Sequence, residues 1–205
     1  MSFAEILALA IATFVFVVSP GPGIIALLSR TLSRGIAAGL LLGVGLIMGD
    51  LIYLIAILAS FYSLADIVAP YMNYVRVFGA LFLAYVGYKQ WGAPPLGVSK
   101  DQQKSEGNIL ETFAAGIAIS STNPKVMVFY LSFLPQFMDL TTLTLSDSVI
   151  VVITISLSLF AGCLLYTIGA DRLFRLIKSE EGARRVNKAT GAAIIAVAIA
   201  MVATI

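Results

Sequence analysis

The sequence contains no histidine and one cysteine, Cys163, and only 12% of its 205 residues are charged. Without histidine there is no His-Glu-x-x-His metalloprotease motif, and a serine nucleophile at Ser19 or Ser121 lacks an evident base. One thiol cannot build a disulfide framework or the cysteine pair of a thiol oxidoreductase. With no imidazole beside it, most transition-metal sites are also without ligands. We therefore expect no enzyme, no metal and no cofactor. The shortage of charge excludes an ordinary soluble domain, in which about a quarter of residues are charged.

What the chain has instead is apolar length. Hydrophobic residues make up 60% of it, and the mean hydropathy is +0.98. Apolar runs fall at about 3–28, 36–60, 69–91, 109–135, 146–169 and 187–205. About 18 or more such residues are enough to cross a bilayer core of about 30 Å. The first run carries Glu5, has no positive leader and shows no small-residue cleavage site, so it reads as a membrane helix rather than a secretory signal. The polar stretch 92–108 is the one plausible linker, dividing the chain into 1–91 and 109–205.

Basic residues set the orientation, so the net charge of +2 says little about partners. Eleven of the thirteen lie in or beside alternate connections: Arg30 and Arg34; Lys89, Lys100 and Lys104; and the group Arg172, Arg175, Lys178, Arg184, Arg185 and Lys188. The opposite connections, 61–68 and 136–145, carry Asp66 and Asp139. The positive-inside rule puts the basic connections in the cytoplasm and both termini outside. Arg76 and Lys125 are the exceptions, inside apolar segments.

The halves resemble each other. Gly49-Asp50-Leu51-Ile52-Tyr53 matches Gly162-Cys163-Leu164-Leu165-Tyr166 at an offset of 113, and the stretch from Arg76 to Ala80 matches that from Lys188 to Ala192 at 112. Polar breaks at Ser19-Pro20 and Asn123-Pro124 are 104 apart. Three crossings per copy force the second copy to be inverted. The expected fold is thus an all-α membrane protein of six transmembrane helices, two inverted three-helix repeats, with helices 1 and 4 broken. Such architecture is that of alternating-access transporters, with the site at the repeat interface.

Each break has a local cause. Pro20 and Pro22 lack N–H groups and push away the carbonyls of Phe16 and Val18, while Gly21 and Gly23 let the backbone leave helical geometry. Pro124 does the same to the carbonyl of Ser120. Freed backbone groups in lipid are tolerated only in a protein-lined, wet space. Each new half-helix starts with unpaired N–H groups carrying about half a positive charge. Together with Lys125 they suit one carboxylate. Ser19, Pro20, Gly21, Pro22, Gly23, Asn123, Pro124 and Lys125 are accordingly the expected substrate path. Only residues 24–29 separate the first break from Arg30, which places it toward the cytoplasmic side.

Asp50 lies fourteen residues into its segment, roughly 21 Å at about 1.5 Å per residue. At that depth it should face the interior and be paired, with Lys125 the expected partner, or protonated. With no histidine in the chain it is the best proton carrier. Tyr53 and Tyr166, at matching repeat positions, are weaker site candidates, as is Arg76, which can also snorkel outward. The glycines at 35, 39, 43, 45 and 49 read as close helix packing. Tyr71, Tyr74, Tyr88 and Trp91 read as interfacial anchors.

Several of these stretches resemble the LysE/RhtB family of bacterial amino-acid exporters: SPGPG at 19–23, GxxxGD at 45–50, GALFLAYVGYKQW at 79–91, FAAGIAISSTNPK at 113–125 and LSFLPQF at 131–137. The resemblance implies a multi-pass secondary transporter of the bacterial inner membrane that expels amino acids or their derivatives, using the proton gradient. It places residues 19–23, Asp50 and 123–125 on the transport path. The partners it implies are an amino acid, protons and the lipid bilayer, with no nucleic acid and with homo-oligomerisation left open. Cys163 departs from internal symmetry, standing where a second Asp would be. Two other readings compete: a metal-cation exporter, which wants more embedded ligands, and a non-transport membrane protein, structural or lipid-scrambling.

Overall fold

The computed structural model describes residues 1–93, 108–137, 144–170, 172–173, 175 and 179–202; within these, side chains at several positions, Arg76, Asp66 and Pro124 among them, are not described. Most of the expected 92–108 linker, and with it Lys100 and Lys104, lies outside these residues, as do Asp139 and Lys178. Among the described residues every regular element is helical. In chain order they are α1 (Phe3–Val18), α2 (Pro22–Arg34), α3 (Ile36–Val68), a 3-10 turn (Ala69–Tyr71), α4 (Met72–Trp91), α5 (Ile109–Ser121), α6 (Pro124–Phe137), α7 (Leu145–Ile168) and α8 (Glu180–Val202).

Local chemistry sets the ends. Ser2 and Glu5 form a capping box at α1, and Thr144 and Asp147 form one at α7. At α5 the Asn108 N–H donates to Glu111, 3.2 Å away. Gly35, at φ +88°, ends α2 in a backbone conformation that a side chain would strain. The Met1 ammonium bonds Asp147 at 2.8 Å, which raises its pKa above the ordinary value and ties the starts of α1 and α7 together.

By length and hydropathy α3 (over Ile36–Phe61) and α7 can each cross a membrane. The pair α1 and α2, bent by 65° at the break, is a third span if counted as one. Two boundaries differ from the sequence reading. α3 continues through the expected 61–68 connection, because a drop in hydropathy does not stop a helix; Pro70 does, by disfavouring helical geometry just before it. α8 starts seven residues before the expected 187, at Glu180. Glu180–Arg184 and Glu181–Arg185, at 2.7 and 2.5 Å, brace its first turns on an exposed face.

α3 packs along α5, α4 along α8, and α1 along α7; α3 also meets α2 and α7. The α3–α5 crossing is close enough that a Cβ on Gly116 would stand 2.4 Å from the Leu42 carbonyl oxygen and 2.8 Å from the Gly45 Cα. Only glycine fits there. Leu9, Leu27, Leu54, Leu134, Val151 and Ile155 are fully buried in the interior, whereas Phe3, Ile52, Phe78, Leu81 and Leu157 are exposed, as lipid-facing side chains are. Tyr71, Tyr74, Tyr88 and Trp91 are exposed at the two ends of α4.

Candidate functional site

The two breaks meet. α1 stops at Val18 with the Ser19 N–H on the Phe16 carbonyl, 3.2 Å, and α2 starts at Pro22. Pro22 has no N–H for the Val18 carbonyl four residues back. That carbonyl instead accepts from the Tyr166 hydroxyl of α7, at 2.5 Å. In the second half α5 stops at Ser121, and α6 starts at Pro124. The Lys125 N–H, which a continuous helix would aim at the Ser121 carbonyl, goes to Asn123 Oδ1 at 3.1 Å. The Ser121 carbonyl accepts from the Tyr53 hydroxyl of α3. Each break is thus capped by a tyrosine from the opposite half.

Lys125 reaches across from α6. Its ammonium donates to the Ser19 carbonyl at 3.2 Å and lies 4.7 Å from the centre of the Phe16 ring. A Cβ on Gly21 would come within 3.7 Å of it. Asp50, only 7% exposed, faces the interior from α3 and accepts from the Ser120 hydroxyl of α5. Lys125 and Asp50 form no ion pair within 4.0 Å. The expected partner of Asp50 is therefore corrected. Ser120 is nearer because the glycine-lined crossing brings α5 against α3, whereas Lys125 sits past the break and turns toward Ser19.

Both side chains border one cavity of about 60 Å³, room for a few waters. Phe16, Val17, Ser19 and Gly21 line it from the first half-helix and break, Gly23 and Ile24 from α2, and Leu46, Ile47 and Asp50 from α3. Ser120, Asn123, Lys125 and Val126 close it around the second break, and Leu159 and Cys163 from α7. The Ser19 hydroxyl is buried there without a hydrogen-bond partner among the described residues. In the cavity wall one cation, one acid and a free hydroxyl face mostly aliphatic side chains.

Of the residues singled out in the sequence, Ser19, Gly21, Gly23, Asn123, Lys125 and Asp50 come together around this cavity. Pro22 and Pro124 begin the half-helices, with Pro20 in the first break, and Tyr53 and Tyr166 cap the ends beside it. Arg76 is on α4, with its side chain outside the described ones. Sequence reasoning missed Ser120, Phe16, Leu46 and Leu159. Ser120 stands next to the break and could have been suspected as a donor for Asp50; the apolar three carried no signal, since they resemble any core residue.

The model of the LysE type translocator family matches residues 14–204. The chain belongs to that family. The match takes in both breaks, Asp50 and Lys125. The chain is similar to an uncharacterized membrane protein of Synechocystis, 25% identical over 97% of this chain and 96% of that protein. It is also similar to leucine efflux proteins of Salmonella choleraesuis and Salmonella typhimurium, 32% identical over 63% of this chain. That alignment spans 61% of the efflux proteins' own length. No solved structure matches this translocator.

Proposed function

We propose that the chain is a secondary transporter that exports amino acids or their derivatives across the bacterial inner membrane, driven by the proton gradient. The leucine efflux relatives favour a neutral aliphatic substrate, and the aliphatic wall of Leu46, Ile47, Val126 and Leu159 suits one. The observation that carries the reading is the environment of Lys125. Its ammonium has a neutral carbonyl and an aromatic face for company, and among the described residues no carboxylate lies within 4.0 Å. A cation left uncompensated at membrane depth is costly. An incoming α-carboxylate supplies the missing charge, helped by the buried Ser19 hydroxyl, which has no partner among the described residues.

Asp50 takes the other end of the substrate. As a carboxylate it pairs with the α-ammonium; as a carboxyl it releases it, so proton and substrate compete for one group. The cavity is too small for leucine as it stands, so loading requires the half-helices to part.

Six spans in two inverted repeats give these groups their symmetry. If 1–91 and 109–205 are two copies, α3 on α5 corresponds to α7 on α1, α2 on α7 to α6 on α3, and α1 on α6 to α5 on α2; all six of those contacts are present. The crossed tyrosine caps obey the same exchange. The test is transport by purified protein in lipid vesicles. Leucine should move against its own gradient when a proton gradient is imposed and not otherwise. Vesicles that move no amino acid under either condition would overturn the export reading.

A further inference from the structure

Phe16 stands one turn before the first break and forms part of two walls. On one side its ring lines the candidate substrate cavity beneath the Lys125 ammonium. On the other, with Ala12, Leu83, Phe129 and Ile194, it lines a smaller void of about 10 Å³ between α1, α4, α6 and α8. The ring lies on Phe129, with centroids 3.7 Å apart and planes 17° from parallel. Phe129 stacks on Phe133 at 4.3 Å, and Phe133 contacts Phe137 at 4.4 Å. Lys125, Phe129, Phe133 and Phe137 recur every four residues and share one face of α6. A column of rings therefore leads from the cavity to the far end of α6, and Phe16 closes its inner end.

We propose that Phe16 is the barrier between the substrate cavity and an exit route between α1 and α6, and that its ring limits the size of side chain allowed through. This rests on the export reading given above. Swinging the ring off Phe129 joins the two spaces, since Phe16 lines both. It also strips the aromatic face from Lys125, so the ammonium holds the substrate carboxylate less shielded as the route opens.

The experiment compares wild type, Phe16→Ala and Phe16→Leu in vesicles loaded with labelled leucine or labelled phenylalanine, without a proton gradient. Phe16→Ala should release leucine faster than wild type and raise the phenylalanine-to-leucine rate ratio by roughly 10-fold or more, the scale at which a pocket discriminates by lost side-chain bulk. Phe16→Leu should fall between. If Phe16→Ala does not purify as a monodisperse protein, Phe16→Leu decides: a measurable leak supports the barrier, and wild-type tightness overturns it. A working wild type with variants equally tight and equally selective overturns the barrier alone. A wild type that carries no amino acid under a proton gradient is instead the failure of the export reading.

Discussion

The hydroxyl of Tyr166 donates to the carbonyl of Val18 at 2.5 Å, filling the place left by the N–H that Pro22 lacks. Tyr53 does the same for the carbonyl of Ser121. A broken membrane helix survives only if its freed backbone groups find partners inside the protein, and here each half supplies the partner for the other.

Removing either hydroxyl should therefore destabilise the fold without emptying the core. Tyr166→Phe and Tyr53→Phe should each cost about 0.6–1.7 kcal/mol, from the average to the largest interhelical hydrogen bond measured in a membrane protein. Denaturant titration in mixed micelles checks this. Two variants as stable as wild type would mean that the carbonyls find water and that the caps are incidental.

Asp50→Asn keeps the shape and the bond to Ser120 but cannot bind and release a proton. Exchange of labelled leucine across the vesicle membrane should persist in weakened form, while accumulation driven by a proton gradient disappears. Full proton-driven accumulation in Asp50→Asn would remove Asp50 from the coupling step.

At the α3–α5 crossing, Gly116→Ala places a methyl group 2.4 Å from the Leu42 carbonyl oxygen. The helices must separate, at a cost of about 1–3 kcal/mol for overpacking, and Ser120 moves away from Asp50. Both lower stability and reduced proton-driven leucine uptake are expected; thermal unfolding and vesicle transport report them separately. An alanine tolerated with no loss in either would show that the crossing gives way easily.

The helix breaks were legible because proline acts locally, removing a donor wherever it stands. Asp50 and Lys125 were legible because charge inside apolar sequence needs a reason. Their separate partners were not, since the meeting of Ser120 with Asp50 depends on how far α5 slides along α3, which the contact of Gly45 with Gly116 fixes across 71 positions of chain. The ends of α3 and α8 were misjudged because hydropathy reports where lipid stops, while the backbone continues until proline, glycine or a lost hydrogen bond halts it. Phe16 and Leu159 carried no mark at all. An apolar residue at a cavity wall differs from one in the core only by what lies beyond it.

The most direct test is equilibrium binding of labelled leucine to the purified protein, wild type against Lys125→Ala. Charged hydrogen bonds contribute about 1.5–3 kcal/mol, so affinity should fall roughly 10- to 100-fold in the variant. Leucinol, which lacks the carboxylate, should bind both proteins equally weakly. Leucine binding that is unchanged by Lys125→Ala would contradict the claim that the two breaks and their lysine form an anion-seeking site.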